Sequence, residues 1–187
     1  MKIIKQEQNF NVPNALTMLR IVLLPAYIWH FWHDNLTAAL VVFLIAQLSD
    51  LLDGFLARRW NQITYFGKLV DPLADKLTQL TVLLCFGFKR LAPWWVIGLV
   101  MGKEALMIVG GIWALRKKIV VAAMGIGKVS TALFAAAVVL TLLQWKPADA
   151  IVLYAAVAVS MGALGVYSAN MWRIVHAPSA AKEAERE

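Results

Sequence analysis

The sequence contains few charged residues and almost no cysteine, and each shortage excludes whole classes of protein. A single cysteine among 187 residues, Cys85, excludes a disulfide framework and a zinc site built from cysteines. Charged residues make up only 16% of the chain and apolar residues 61%. A soluble domain of this size could not hide that much apolar surface from water. The composition therefore excludes a disordered or fibrous chain and predicts an all-α integral membrane protein.

Six apolar segments predict six transmembrane helices, because each is close to the roughly 20 residues that cross about 30 Å of hydrocarbon. The segments are Leu16–Trp32, Ala38–Ala57, Leu69–Phe88, Pro93–Leu115, Val121–Leu143 and Ala148–Trp172. Before the first of them, Asn11–Asn14 predicts a turn or a short interfacial segment at the N-terminal end. The connections are short, so we expect one membrane domain over residues 1–175 and a polar cytoplasmic tail over residues 176–187.

The basic residues predict the orientation in the membrane. Eighteen Lys and Arg against eleven Asp and Glu give a net charge of +7. Most of the Lys and Arg residues lie near the two termini and in the second-to-third and fourth-to-fifth connections. Lys89, Arg90 and Lys146 lie at the opposite ends of the predicted helices. Since basic residues favour the cytoplasmic side, we predict that both termini are cytoplasmic. We also predict that the protein lies in the cell (inner) membrane, in contact with membrane lipids. In so apolar a chain the positive charge does not indicate nucleic-acid binding, and we expect none.

Two acidic residues near the end of the second predicted helix lie where an unpaired charge costs a few kcal/mol or more. Asp50 and Asp53 share one helical face with Gly54 and Ala57. The acids are suited to holding a cation, and the small residues let a bulky group approach the helix backbone. Arg58, one turn after Asp53, is suited to a phosphate oxygen.

A second acidic face follows on the third predicted helix, where Gly67, Asp71 and Asp75 recur every four residues. If the two helices run antiparallel, four carboxylates meet near the cytoplasmic interface and need divalent cations between them. Oxygen-only ligands favour Mg²⁺ or Mn²⁺. Four acids suit a two-metal site that neutralises a pyrophosphate and activates an oxygen nucleophile. Pro72, directly after Asp71, predicts a kink or a helix start.

The combined spacing Asp50-x2-Asp53-Gly54-x2-Ala57-Arg58-x8-Gly67-x3-Asp71-x3-Asp75 resembles the complete signature of the CDP-alcohol phosphotransferases. The resemblance implies an enzyme that transfers a phosphatidyl or similar group from a CDP-linked donor to an alcohol and releases CMP. The same resemblance implies a homodimer. It also implies that the metals are held by Asp50, Asp53, Asp71 and Asp75, that Asp75 is the catalytic general base, and that the donor is bound by Asp53, Gly54, Ala57, Arg58 and Gly67.

Segments outside this signature bear on the choice of alcohol. Asn11-Val-Pro-Asn14-Ala-Leu-Thr17-Met-Leu-Arg20 and Arg58-Arg59-Trp60-Asn61 are similar to the phosphatidylglycerophosphate synthases and their cardiolipin-synthase relatives. That resemblance implies CDP-diacylglycerol as donor and sn-glycerol 3-phosphate as acceptor, with phosphatidylglycerol as the alternative acceptor. A glycerol-phosphate acceptor needs cations. The candidates for binding its phosphate are Arg20, Lys103, Arg116 and Lys128.

Other functions and roles remain open for these residues. Intramembrane acids also line ion paths, so a divalent-cation transporter is the alternative from another class, although the outer halves of the spans contain almost no ionisable residue. A non-catalytic scaffold would not need a complete acid set. The acids could also form salt bridges within their helices, for example Asp75 with Lys76. For Lys103 the alternatives are a buried pair with Glu104 or a snorkelling side chain.

Overall fold

Six α-helices make up the regular structure of the part of the chain that the computed structural model describes, residues 12–60, 65–116 and 125–176. They are α1 (Val12–Trp32), α2 (Leu36–Arg59), α3 (Tyr65–Phe88), α4 (Trp94–Arg116), α5 (Gly125–Leu142) and α6 (Ala148–His176). The all-α class and the order of the helices agree with the prediction from hydropathy. The predicted start of the fifth segment at Val121 lies outside the described residues.

Five helices, α1, α2, α4, α5 and α6, are long and apolar enough to cross a membrane. All eight tryptophans and many large aliphatic side chains lie exposed on the surface, where only lipid is a favourable solvent for so many of them. The chain is therefore a multi-pass membrane protein. The helix α3 is less apolar, because its first half carries the charged residues Lys68, Asp71, Asp75 and Lys76. A sixth span and the cytoplasmic side of the termini stay predictions.

The first helix begins earlier than expected, at Val12, so the turn predicted at Asn11–Asn14 is wrong for residues 12–14. Pro13 lies in the first helical turn, where the backbone N–H that it lacks would have no partner within the helix. The helix therefore includes Pro13 in its first turn and does not begin after it. Pro72 is not a helix start either, because α3 is helical from Tyr65 onwards.

The helices form two compact units, Met1–Ala92 with α1–α3 and Pro93–Glu187 with α4–α6. In the first unit, α1 packs extensively against both α2 and α3. Its core contains a row of aromatic rings in which Phe31 lies 5.8 Å from Tyr27 and 5.9 Å from Phe86, measured between ring centroids. In the second unit, α6 packs mainly against α5 and to a smaller extent against α4. The first unit carries all four acids of the predicted site.

Three helices end in the same turn, although none of these turns uses glycine. Asp34, Arg90 and Gln144 have φ values of 58°, 57° and 55° and follow α1, α3 and α5. After Asp34, the N–H of Asn35 donates to the carbonyl of His30 at 3.0 Å, and the other two turns have the equivalent bond. This is the Schellman motif, which usually places glycine at the left-handed residue. A residue with a Cβ adopts that conformation at a cost of about 1–2 kcal/mol, which the bonds to the helix ends offset.

Lys89 ties the end of α3 to the end of α1, and this contact gives a test of the fold. Its Nζ donates to the carbonyl of Phe31 at 2.6 Å, pairs with Asp34 and lies 5.1 Å from the centre of the Phe31 ring. We expect Lys89→Met to lower the free energy of unfolding by about 1–2 kcal/mol, because the carbonyl loses a charged donor. Thermal unfolding in detergent would measure the loss. The neighbouring exposed Arg90, changed to Gln, is the control, and an equal loss there would contradict the assignment.

Candidate functional site

The four acids of the predicted site lie together in the first unit, and α1 joins them. Asp53 of α2 and Asp71 of α3 both approach the hydroxyl of Thr17, on α1. Asp50 lies close enough to Asp71 and Asp75 for their charges to interact. The sequence predicted that the acidic faces of α2 and α3 meet. In the structure, both helices pack extensively against α1 and, within the described residues, have far less contact with each other, so their acids approach one another through Thr17 and Arg20 of α1.

Arg20 is the cation at the centre of the α2 pair. Its Nη2 lies 2.6 Å from Oδ1 of Asp50 and donates to Oδ2 of Asp53 at 2.7 Å. The side chain of Arg20 is only 1% exposed. Among the residues that the structure describes, its Nε and Nη1 have no hydrogen-bond partner. A single nitrogen therefore makes both ionic contacts, and the paired geometry that a guanidinium can offer a carboxylate is not used.

Thr17 connects the two acidic helices through one oxygen atom. Its Oγ1 donates to Oδ1 of Asp71 at 2.6 Å, while Oδ2 of Asp53 and the carbonyl of Pro13 lie 3.2 Å away. A hydroxyl has one hydrogen to donate, so the shortest contact, to Asp71, is its main hydrogen bond. Because this bond joins α1 to α3 as Arg20 joins α1 to α2, two residues of α1 hold the acids in place.

The acids differ in how open they are to a ligand. The side chain of Asp53 is 6% exposed, whereas those of Asp50 and Asp75 are 42% and 46% exposed. Asp75 has an ion pair with Lys76, at 3.7 Å between Oδ2 and Nζ. A long, half-exposed pair of this kind contributes little to stability. The salt-bridge alternative thus accounts for one contact of Asp75 and leaves nearly half of its side chain accessible.

The donor atoms at this site suit a hard divalent cation, because they are carboxylate and hydroxyl oxygens without sulfur or imidazole. No three Asp, Glu, His or Cys side chains within the described ranges are already arranged around one point as metal ligands. The nitrogen of Arg20 lies between the oxygens of Asp50 and Asp53. Binding of a cation to that pair therefore requires these side chains to move.

The residues predicted to bind the CDP donor flank these acids along the same helices. Gly54 lies on α2 next to Asp53 and is half-buried, and Gly67 lies buried on α3. Ala57 and Arg58 continue α2, but their side chains lie outside the described residues. The small residues thus lie on the helices that carry the acids, as their sequence spacing predicted.

The candidates for the acceptor phosphate are divided between the two units. Arg20 belongs to the first unit and contacts the acids. Lys103 lies on α4 of the second unit, largely buried, with its Nζ 2.5 Å from Oε1 of Glu104. The pair with Glu104, left open by the sequence, therefore forms. Lys128 lies exposed in the first turn of α5, and the side chain of Arg116 lies outside the described residues.

Thr17 is the site residue that the sequence reasoning missed. Asn14, Thr17 and Arg20 are separated by three residues each, and all three are buried on α1. Such a spacing places them along one helical face. Three buried polar residues in an otherwise apolar helix are costly unless they have partners. A polar face on a membrane helix was the signal that could have identified Thr17.

Comparisons with known proteins show the family of this chain. Residues 10–162 match the family model for CDP-alcohol phosphatidyltransferases. The CDP-diacylglycerol–glycerol-3-phosphate 3-phosphatidyltransferase of Aquifex aeolicus (strain VF5) is 36% identical over 168 residues, which cover 88% of this chain and 83% of the relative. The enzyme of the same name from Escherichia coli (strain K12) is 36% identical over 146 residues, covering 74% and 79%. The chain therefore belongs to the CDP-alcohol phosphatidyltransferase family.

Proposed function

We propose that this protein transfers the phosphatidyl group of CDP-diacylglycerol to sn-glycerol 3-phosphate, giving phosphatidylglycerophosphate and CMP. The observation that carries the proposal is the cluster of Asp50, Asp53, Asp71 and Asp75, held by α1, in a chain of this family. The choice of acceptor rests on the two relatives, whose name specifies glycerol 3-phosphate.

The four aspartates hold Mg²⁺ or Mn²⁺ in this proposal. Divalent cations bound there would neutralise the pyrophosphate of the donor and stabilise the charge that develops on the leaving CMP. The acceptor hydroxyl oxygen attacks the phosphorus that carries the diacylglycerol. The bond from that phosphorus to the oxygen of CMP breaks, and CMP leaves with the electron pair. The proton of the hydroxyl passes to Asp75, whose carboxylate is nearly half exposed.

The remaining residues bind and orient the two substrates. Beside the metal ligand Asp53, the donor is bound by Gly54, Ala57, Arg58 and Gly67. The small residues admit the nucleotide close to the helix backbone, and Arg58 contacts a phosphate oxygen. The phosphate of the acceptor is bound by Arg20, Lys103, Arg116 and Lys128, which offset its negative charge near the carboxylates.

The setting proposed for this reaction is the cell (inner) membrane, with six spans, both termini in the cytoplasm and the acids facing the cytoplasm. The distribution of basic residues supports this orientation. We also propose one membrane domain over residues 1–175, a polar cytoplasmic tail over residues 176–187, and a homodimer as in the family that the sequence resembles.

A panel of acceptors tests the proposed function directly. Purified full-length protein would receive CDP-diacylglycerol with Mg²⁺ or Mn²⁺, and either glycerol 3-phosphate, phosphatidylglycerol, inositol phosphate or serine. We expect CMP release and a phosphatidylglycerophosphate product with glycerol 3-phosphate alone. Product from phosphatidylglycerol without any from glycerol 3-phosphate would favour a cardiolipin synthase. Metal flux through proteoliposomes without CMP release would favour a transporter.

Lys103 provides a test of the acceptor pocket, because ionisable residues inside apolar helices often mark substrate pathways even when they are paired, as Lys103 is with Glu104. We expect Lys103→Ala to lower kcat/KM for glycerol 3-phosphate about tenfold or more, as the loss of a charged hydrogen bond implies. The KM for CDP-diacylglycerol should change little. Steady-state kinetics with each substrate varied in turn would measure both values.

Glu104→Gln is the matched control, since it breaks the ion pair of Lys103 but keeps the lysine charge. We expect this variant to retain most of the acceptor kcat/KM. An equal loss in both variants would mean that the pair supports the structure of α4 and does not bind the acceptor. Normal glycerol 3-phosphate kinetics in Lys103→Ala would remove Lys103 from the pocket.

A further inference from the structure

The contacts of Arg20 raise a question about metal binding that the proposed function leaves open. One nitrogen, Nη2, lies 2.6 Å from Oδ1 of Asp50 and 2.7 Å from Oδ2 of Asp53. These two acids belong to the set proposed to hold the metals. A protein cation thus already lies between two oxygens that a divalent cation would use.

Both cations cannot occupy that position together. A Mg²⁺ ion binds carboxylate oxygens at about 2.0–2.1 Å, so an ion shared by Asp50 and Asp53 would take the place of Nη2. If the guanidinium stayed nearby on the remaining oxygens, its charge would repel the ion beside the buried Asp53. Whether the guanidinium is displaced or stays nearby, Arg20 makes the free energy of metal binding less favourable.

The way in which Arg20 is held makes it suited to exchange. Only Nη2 has ionic partners, while Nε and Nη1 are buried without a hydrogen-bond partner among the described residues. Buried donors without partners are costly, and the two-point fork between arginine and carboxylate is not formed. The guanidinium therefore contributes charge to the acids without the geometry that would lock it there.

The charge around the acids explains why such a residue is useful. Asp71 and Asp75 lie within electrostatic range of Asp50, and Thr17 contributes a neutral hydroxyl only. Without a cation the carboxylates of the two helices would repel one another inside the membrane protein. Arg20 offsets part of that repulsion and holds α1 against α2.

We propose that Arg20 competes with a divalent cation for the carboxylates of Asp50 and Asp53, as an internal cation that stabilises the acid cluster and yields to the metal. In this role Arg20 is a positioning residue, in addition to the acceptor contact proposed above, and the role deepens the proposed function, on which the identity of the metal site rests. The alternative is that Arg20 stays hydrogen-bonded to the carboxylates when the metal binds and orients them as ligands. Loss of such a partner typically weakens metal binding about 10–100-fold, so the two roles predict opposite signs.

Metal binding by purified full-length protein in detergent decides between them. Free Mn²⁺ would be measured by electron paramagnetic resonance during titration of wild-type protein and of Arg20→Gln. We expect Arg20→Gln to lower the Kd for Mn²⁺ about tenfold or more. We also expect it to lower the thermal unfolding midpoint without metal and to enlarge the stabilisation by Mn²⁺. An unchanged or higher Kd would overturn the proposal.

Arg59→Gln is the matched control, because it removes the same charge from an exposed arginine near the end of α2. The guanidinium of Arg59 lies 5.8 Å from the centre of the Phe55 ring. We expect a change in Kd of less than about twofold, since an exposed charge is screened by solvent. If Arg59→Gln tightened Mn²⁺ binding as much as Arg20→Gln, the effect would be general electrostatics and the proposal would fail.

A second measurement does not depend on the folding of Arg20→Gln. In wild-type protein labelled with ¹⁵N in arginine, the Nε–H signal of Arg20 would be assigned by its absence in Arg20→Lys. We expect saturating Mg²⁺ to shift this signal and to leave that of Arg59 in place. An Arg20 signal unaffected by Mg²⁺ would overturn the proposal.

These results are separable from the test of the function itself. Wild-type protein that binds Mn²⁺ and makes phosphatidylglycerophosphate, with an Arg20→Gln Kd equal to that of wild type, would refute the competition alone. Tighter Mn²⁺ binding in Arg20→Gln, together with no product from any acceptor in wild-type protein, would refute the proposed reaction and support the competition. Wild-type protein that binds no Mn²⁺ or Mg²⁺ would overturn this inference.

Discussion

We expect turnover to fall at least about a hundredfold in Asp50→Asn and in Asp71→Asn, and each variant to remain folded. Either change removes a carboxylate charge where the pyrophosphate of the donor must be neutralised, and removing one such electrostatic contact commonly costs 10²–10³-fold in rate. Asp71 also accepts the hydrogen bond of Thr17, which an asparagine oxygen can still accept. CMP release from CDP-diacylglycerol, measured beside the thermal unfolding midpoint, would test this expectation.

Asp34→Asn is the control for removal of a carboxylate from the same unit. Asp34 is highly exposed and lies in the turn between α1 and α2, where it pairs with Lys89. We expect turnover close to that of wild type in this variant, because the turn is remote in sequence from all four acids. Near-normal turnover in Asp50→Asn or Asp71→Asn, in the presence of excess chelator, would disprove the metal mechanism.

Asp75→Asn should slow the chemical step far more than it weakens donor binding. The acceptor hydroxyl must lose a proton, an amide cannot take it at neutral pH, and general-base catalysis contributes about 10²–10⁴-fold. Asp75 is also nearly half exposed, so a substrate can reach it. The affinity for CDP-diacylglycerol and the single-turnover rate with glycerol 3-phosphate would be measured on the same preparation.

Lys76→Met separates the base from its ion pair, since it removes the cation near Asp75 and keeps the carboxylate. We expect its single-turnover rate to stay within about threefold of wild type, because a long, half-exposed pair is weak. If donor binding collapsed in Asp75→Asn while the chemical rate survived, Asp75 would be mainly a metal ligand and another group would be the base.

The acids show how far helical spacing alone can predict a site. Asp50 and Asp53, and likewise Asp71 and Asp75, are separated by three or four residues and so share a helical face wherever the helix packs. Charges in apolar segments need partners, which is why the sequence predicted a cation site here. The sequence left open what would hold the two faces together. Thr17 and Arg20 of α1 do this.

Helix ends were harder to predict, because the usual signals were absent. The expected marker of a helix end is glycine in the left-handed conformation, yet the turns after α1, α3 and α5 use Asp34, Arg90 and Gln144. At the N-terminal end of α1, the presence of proline led to a wrong prediction of a turn. Pro13 was expected in a turn or a short interfacial segment before α1, and the turn was wrong because the first helical turn accommodates proline without loss of a hydrogen bond.

What the sequence determined by itself was the class of protein, the order of six helices and the positions of the acids along them. These follow from local properties, namely apolar content, segment length and the 3.6-residue period. Only the tertiary structure decided that α1 packs against both acidic helices and that Arg20, expected at an acceptor phosphate, contacts Asp50 and Asp53. Such pairings depend on which helices meet and at what depth, and a periodic pattern in one helix contains no information about its neighbour.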